Sequence, residues 1–317
     1  MKPAPYLAEL ADGPAEAGAF WVKATDGVGL RVAVWPAGTK GTVVLFPGRC
    51  EYVEKYGRTA TALAARGYAS AAIDWRGQGM ADRLQKNPEI GHVRHFTDYQ
   101  MDARVMLDLL EELELPKPYF LLAHSMGGCI GLRTLMEPHP FRAVAFSAPM
   151  WGILIAPKLR QLARTLPTLA KSIGLGAQKT PTTSTATFFL DTPFEENFLT
   201  TDREMWDHMV RQASADSRFR LGGPSLVWLA EALSETRTLA AMPRPDLPAL
   251  VGVGTEEKIV DPSAIAPIME TWTQGRVETY AGAEHELLME RPEVREAFLQ
   301  SVCDLFETAE AKAEARV

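Results

Sequence analysis

An apolar run, Phe120-Leu121-Leu122-Ala123, stops at His124-Ser125 and gives way at once to Met126-Gly127-Gly128. A stretch of this kind predicts a buried strand, a sharp turn and a helix, with the serine hydroxyl carried at the tip of the turn. The next helix's N-terminus then lies beneath the serine, where its partial positive charge favours negative charge developing on a bound group. A serine held in this way predicts a hydrolase and fixes the order in which its catalytic partners are sought.

The rest of the chain supplies a matching frame. Strand patterns at 30–35, 42–46, 69–74, 119–124, 143–147, 249–253 and 276–280 alternate with helical patterns at 51–66, 96–115 and 126–136 and with a last helix after Pro292. Gly67 ends the first of these helices, and Pro116 and Pro118 end the second. Repeated strand–helix alternation predicts an α/β fold: a mostly parallel central sheet with helices on both faces. The first two strands, joined through Pro36-Ala37-Gly38-Thr39-Lys40-Gly41, read as a hairpin-like pair. The alternation breaks between about 150 and 235, where helical patterns are punctuated by proline. This divides the chain into a core in two parts, 1–149 and 236–317, with a helical lid at 150–235 between them.

Composition excludes several other classes. A net charge of −7 over 317 residues offers no basic face for nucleic acid. Cys50, Cys129 and Cys303 are odd in number and lack metal-ligand spacing, so the expectation is no disulfide framework and a reducing compartment. The first ten residues lack the apolar core of a signal peptide, and no run of about 18 apolar residues is present. These readings predict a cytoplasmic protein. No metal or cofactor is expected: Gly77-Gln78-Gly79 lacks the third glycine of a dinucleotide loop, and no His, Cys, Asp and Glu cluster has ligand spacing.

A serine hydroxyl needs a histidine to take its proton, a carboxylate to orient that histidine, and donors for the oxyanion. Six histidines are present, at 92, 95, 124, 139, 208 and 285, and only His285 follows the last predicted strand, in a glycine-containing loop. The acid is expected after the preceding strand, where Glu256, Glu257 and Asp261 compete. Glu257 precedes the apolar pair Ile259-Val260 that anchors the loop, and it is preferred. Asp261, ahead of Pro262, also reads as a helix N-cap and is the runner-up. For the oxyanion, the backbone N–H of Met126 is one expected donor. That of Arg49, beyond Gly48 in the loop after the 42–46 strand, is the other.

With these parts placed, the chain resembles the α/β-hydrolase superfamily, and within it the lysophospholipase L2 and monoacylglycerol lipase branch. Ala123-His124-Ser125-Met126-Gly127-Gly128 is similar to the branch's Gly-His-Ser-Met-Gly-Gly elbow, and Pro47-Gly48-Arg49-Cys50-Glu51 to its His-Gly-x-x-Glu oxyanion loop. Asp74-Trp75-Arg76-Gly77-Gln78-Gly79 looks like its Asp-x-Arg-Gly-x-Gly segment. Asn197 to Asp202 and Leu221-Gly222-Gly223-Pro224 resemble lid segments of lysophospholipase L2-like proteins. Ala123 replaces the elbow's first glycine, Pro47 replaces the usual histidine, and the acid is glutamate where aspartate is commoner.

The resemblance implies a serine hydrolase that cleaves an acyl ester of a lysophospholipid or monoacylglycerol through an acyl-enzyme. The alternatives are a generalist carboxylesterase or aminopeptidase of the same fold, and a ligand-binding protein without catalysis.

The proposed lid carries its own signal. Between 138 and 190 there is no Asp or Glu, while Arg142, Lys158, Arg160, Arg164, Lys171 and Lys179 lie there, so the rest of the chain balances 27 basic against 40 acidic residues. Trp151-Gly152-Ile153-Leu154-Ile155 with Leu159, Leu162, Leu166 and Leu169 adds apolar positions at roughly helical spacing. A basic, apolar segment suits peripheral contact with a lipid surface, whereas a lid helix packed on the core with its charges solvated is the plainer alternative.

Overall fold

The computed structural model describes residues 1–155, 175–181 and 188–315. Strands β1 (Lys2–Pro3), β2 (Gly18–Lys23), β3 (Gly29–Trp35), β4 (Thr42–Phe46), β5 (Ala69–Asp74), β6 (Tyr119–His124), β7 (Phe141–Ser147), β8 (Ala249–Gly254) and β9 (Gly275–Tyr280) form one sheet in the order β1-β2-β3-β5-β4-β6-β7-β8-β9. Strands β4 to β9 pair in parallel, while β1, β2 and β3 add an antiparallel edge.

Alternate side chains enter two separate cores, as a sheet covered on both faces requires. Val44, Phe46, Leu121 and Ala123 belong to one core, and Val43, Leu45, Phe120 and Leu122 to the other. Helices α1 (Gly57–Ala64), α2 (Tyr99–Glu112), α3 (Met126–Thr134), α4 (Arg203–Ala215), α5 (Leu226–Ala241) and α6 (Pro292–Glu314) complete the frame. Met106 of α2, Ile130 of α3 and Trp228 of α5 pack in the first core; Leu63 of α1 and Phe298 and Val302 of α6 pack in the second.

The strand order corrects one expectation. β3 and β4 are not a hairpin: β5 lies between them, antiparallel to β3 and parallel to β4. The 36–41 link passes over the start of β5, where Thr39 and Lys40 donate backbone hydrogen bonds to Gly67 O (2.9 and 3.0 Å). Gly38, at φ +131°, makes the crossing possible, since a Cβ there would lie 2.3 Å from the Tyr68 carbonyl carbon. The N-terminal strands β1 and β2 were not expected from the sequence. The helical patterns at 51–66 and 96–115 each open with a 3₁₀ turn, and their α-helical parts are the shorter α1 and α2.

Between β7 and β8 lie α4 and α5; α5 packs against α3, with Arg133 paired to Glu235, and runs through residue 235 without interruption. Lys158, Leu159, Arg160, Leu162, Arg164, Leu166, Leu169 and Lys171 lie outside the described residues. Among the described residues no helix is long and apolar enough to cross a membrane.

Candidate active site

Ser125 sits between β6 and α3 with φ 49° and ψ −116°, a strained conformation for a residue with a side chain. Backbone bonds hold it there: Ser125 N donates to Ser147 O (3.0 Å), and Ser125 O accepts from Gly128 N and Met150 N (2.8 Å each). The turn also needs α3 to start against the end of β4. A Cβ on Gly127 would lie 2.0 Å from Phe46 O. Gly127→Ala is therefore expected to cost on the order of 1–3 kcal/mol or more through overpacking. Chemical denaturation measures this, and an unmoved midpoint would mean that α3 can shift freely away from β4.

The structure brings three of the expected residues together, all buried. His285, in the loop after β9, places Nε2 2.9 Å from Ser125 Oγ and Nδ1 2.7 Å from Glu257 Oε2. The other Glu257 oxygen accepts from Ile259 N (2.6 Å) and Val260 N (3.0 Å). Burial pushes the Glu257 pKa up, but the hydrogen bond and charge of His285 and the two amides outweigh it, and the carboxyl titrates below its ordinary range. An ionised carboxylate only accepts, so Nδ1 carries a proton and Nε2 is left to accept from the serine hydroxyl. The runner-up acid is occupied elsewhere: Asp261 Oδ1 accepts from Ser263 N (3.0 Å) and Ser263 Oγ (2.6 Å), capping the 262–264 turn. Glu256 is exposed.

The loop after β4, expected to carry the Arg49 donor, is pinned through its carbonyls. Trp75 Nε1 donates to Pro47 O (2.9 Å), and Gln78 Nε2 donates to Gly48 O (2.8 Å) and Glu51 O (3.0 Å). In a trans peptide the N–H points opposite to the preceding C=O, so turning Gly48 O toward Gln78 turns the Arg49 N–H the other way. The same argument applies at Met126, whose preceding carbonyl, Ser125 O, is engaged twice. Met126 is also the first residue of α3, where a backbone N–H has no partner within the helix. The Arg49 side chain donates to Gly222 O and lies 5.4 Å from the centre of the Trp228 ring, tying this loop to the segment leading into α5. Burial pushes the neighbouring Cys50 thiol pKa up, which keeps it protonated and a poor nucleophile.

One group of residues was missed by sequence reasoning. Glu51, His124 and Glu286 are buried under the elbow, with ligand atoms within 4.8 Å of one another, a spacing that suits a metal ion. Lys55 Nζ, however, bonds both carboxylates and already supplies a cation there. The available signal was adjacency: His124 precedes Ser125, Glu286 follows His285, and Glu51 and Lys55 are spaced i, i+4.

Against known proteins, the Hydrolase_4 family model, described as serine aminopeptidase, S33, matches residues 37–292. The chain belongs to the Hydrolase_4 family. Among curated relatives of this Hydrolase_4 chain, lysophospholipase L2 of Escherichia coli is 31% identical over 283 residues, covering 83% of this chain and 79% of the relative. Among solved structures, a soluble variant of monoglyceride lipase from Saccharomyces cerevisiae, in complex with a substrate analog, superposes with a TM-score of 0.70 at 19% identity, covering 92% of this chain and 94% of that one. A thermostable carboxyl esterase from Bacillus coagulans, in complex with glycerol, gives a TM-score of 0.72 at 14% identity, covering 92% and 100%. These structural likenesses establish the α/β-hydrolase fold of this Hydrolase_4 member.

Proposed function

We propose that the protein is a serine hydrolase that cleaves the single acyl ester of a lysophospholipid or a monoacylglycerol. The hydrogen-bonded chain Glu257–His285–Ser125 carries this reading, and the 31% identity to a lysophospholipase L2 over most of both chains supports the substrate class. Ser125 Oγ attacks the ester carbonyl carbon while His285 Nε2 takes the hydroxyl proton. Glu257 holds the imidazole tautomer and stabilises the imidazolium. The Arg49 and Met126 N–H groups face the oxyanion. The proton then passes to the departing glyceryl oxygen, leaving an acyl-serine. Water, deprotonated by His285, attacks the acyl carbon, and the fatty acid leaves as Ser125 recovers its proton.

The segment at 150–235 serves as a lid that meets lipid. Among its described residues Leu154, Leu175, Leu190 and Phe198 are large, apolar and exposed, and no acidic residue occurs between 150 and 190. A segment whose sequence is both apolar and basic suits anionic lipid, through contributions that salt weakens.

Fatty-acid release from a lysophospholipid and a monoacylglycerol of one acyl chain tests both readings. Turnover of either supports the ester function. Turnover of only aminoacyl arylamides would replace it with an aminopeptidase. On anionic vesicles, the rate is expected to fall with added salt while the rate on a soluble short ester stays level; equal salt responses would remove the lipid-surface role.

A further inference from the structure

Glu51, Lys55, His124 and Glu286 make one closed set of contacts beneath the serine. Lys55 Nζ donates to Glu51 Oε1 and Glu286 Oε1. Tyr56 Oη donates to Glu51 Oε2 (2.6 Å), and the Gly48 amide donates to the same oxygen. His124 Nδ1 lies 3.1 Å from Ser147 O, and its Nε2 lies 3.3 Å from Glu286 Oε2 and 3.6 Å from Glu51 Oε1. Ser147 Oγ, 3.3 Å from Nδ1, can accept as well as donate, while the carbonyl and both carboxylates only accept, so the surroundings of both ring nitrogens favour the imidazolium form of His124. Two carboxylates then face two cations, and the buried set is electrically neutral.

Glu51, His124 and Glu286 belong to different parts of the active site, and Lys55 joins two of them. Glu51 fixes the oxyanion loop through Gly48 N. His124 is the residue before Ser125, and its ring centre lies 4.8 Å from that of His285. Glu286 is the residue after His285, and its own N–H donates to Leu199 O (2.8 Å) in the segment leading to α4. We propose that this neutral cluster is the device that holds the oxyanion loop, the nucleophile elbow and the histidine loop in register, with its charge balance, rather than its packing alone, setting their alignment. The four are positioning residues, and the inference rests on the serine-hydrolase reading above.

Protonation follows the same logic. Burial disfavours the charged form of both His124 and Glu286. The Glu286 and Glu51 carboxylates nonetheless raise the His124 pKa, and the Lys55 and His124 charges lower that of Glu286 well below its usual range. The groups facing His124 are Glu51, Glu286 and Lys55, with His285 beside it and Ser147 on its far nitrogen. His124 therefore contributes stability that is fully present below its unfolded pKa of about 6.5 and is lost as pH rises through its raised folded value.

Charge compensation tests the proposal. His124→Gln leaves the cluster one unit negative, Glu286→Gln leaves it one unit positive, and the double variant is neutral. Each single variant is expected to lose about 10- to 100-fold in kcat on a soluble short ester, with KM little changed, because an uncompensated buried charge displaces the loops it joins. The double variant is expected to be more active than either single one. If His124→Gln does not fold by near-ultraviolet circular dichroism, Lys55→Met, Glu51→Gln and their combination make the same comparison. Losses that multiply in the double variant, or singles as active as wild type, overturn the cluster's role. Wild-type protein that neither turns over esters nor reacts with a fluorophosphonate would instead remove the serine-hydrolase reading on which it rests.

Discussion

Replacing Ser125 with alanine is expected to lower kcat for acyl-ester hydrolysis by roughly a million-fold, the scale on which loss of a serine nucleophile acts. The residue contributes one reacting atom, and that atom's structural part is small: Oγ is hydrogen-bonded to His285 Nε2, at the tip of a turn held by backbone bonds. The unfolding free energy should therefore move by no more than about 1 kcal/mol. Intact-mass spectrometry after fluorophosphonate treatment separates the two effects. Wild type gains one adduct, the variant none, and denaturation curves stay close together. The donors at Arg49 and Met126 would leave a residual rate of about 10³–10⁴ over water. Turnover of the Ser125→Ala variant at the wild-type rate would end the assignment, and so would an adduct on the variant, for instance at Cys50.

The sequence disclosed the parts of this site that local chemistry specifies. The elbow was legible because the end of β6, the strained residue and the start of α3 are consecutive, and Gly127 and Gly128 are what close approach to Phe46 and Pro149 demands. His285 was legible because a loop after the last strand has one histidine. Strand order was not legible, because whether β4 joins β3 or β5 depends on pairing with residues some thirty positions later. Nor was the buried cluster, which joins three separate stretches of the chain and whose charges would each read as surface residues.

The departures from the family motifs have local explanations. Pro47 has no N–H to give, but its carbonyl is held by Trp75 Nε1, which fixes the loop from the other side. Ala123 keeps its methyl inside the core: the space opposite is Gly131, where an added Cβ would lie 3.4 Å from the Ala123 methyl. The elbow's missing glycine is thus matched by Gly131, six residues beyond the serine. The buried cluster also gives the Glu51 of the oxyanion loop a physical task, since its carboxylate accepts from the Gly48 amide beside the proposed donor at Arg49.

Glu257→Gln is the second large effect expected, a loss of about 10⁴-fold in kcat. The amide keeps the volume, but it can present an N–H to His285 Nδ1 and so stabilise the tautomer with its proton on Nε2, which cannot accept from Ser125. Asp261→Ala, by contrast, should leave kcat within a few-fold and cost about 1 kcal/mol of stability, because Asp261 caps the 262–264 turn. Measuring both variants decides between the two carboxylates that the sequence left in competition; a 10⁴-fold loss at Asp261 with little at Glu257 would reverse the assignment. Acid titration supplies an independent check. The Glu257 pKa is lowered in the folded protein, so its contribution to stability is present above the ordinary glutamate range and is lost as pH falls through the lowered value. The stability difference between wild type and Glu257→Gln should therefore shrink on acidification, and the acid limb of wild-type activity should lie above the pH at which Glu257 protonates. A difference that stays constant from neutral pH into the acid range would show that Glu257 is not held ionised by His285.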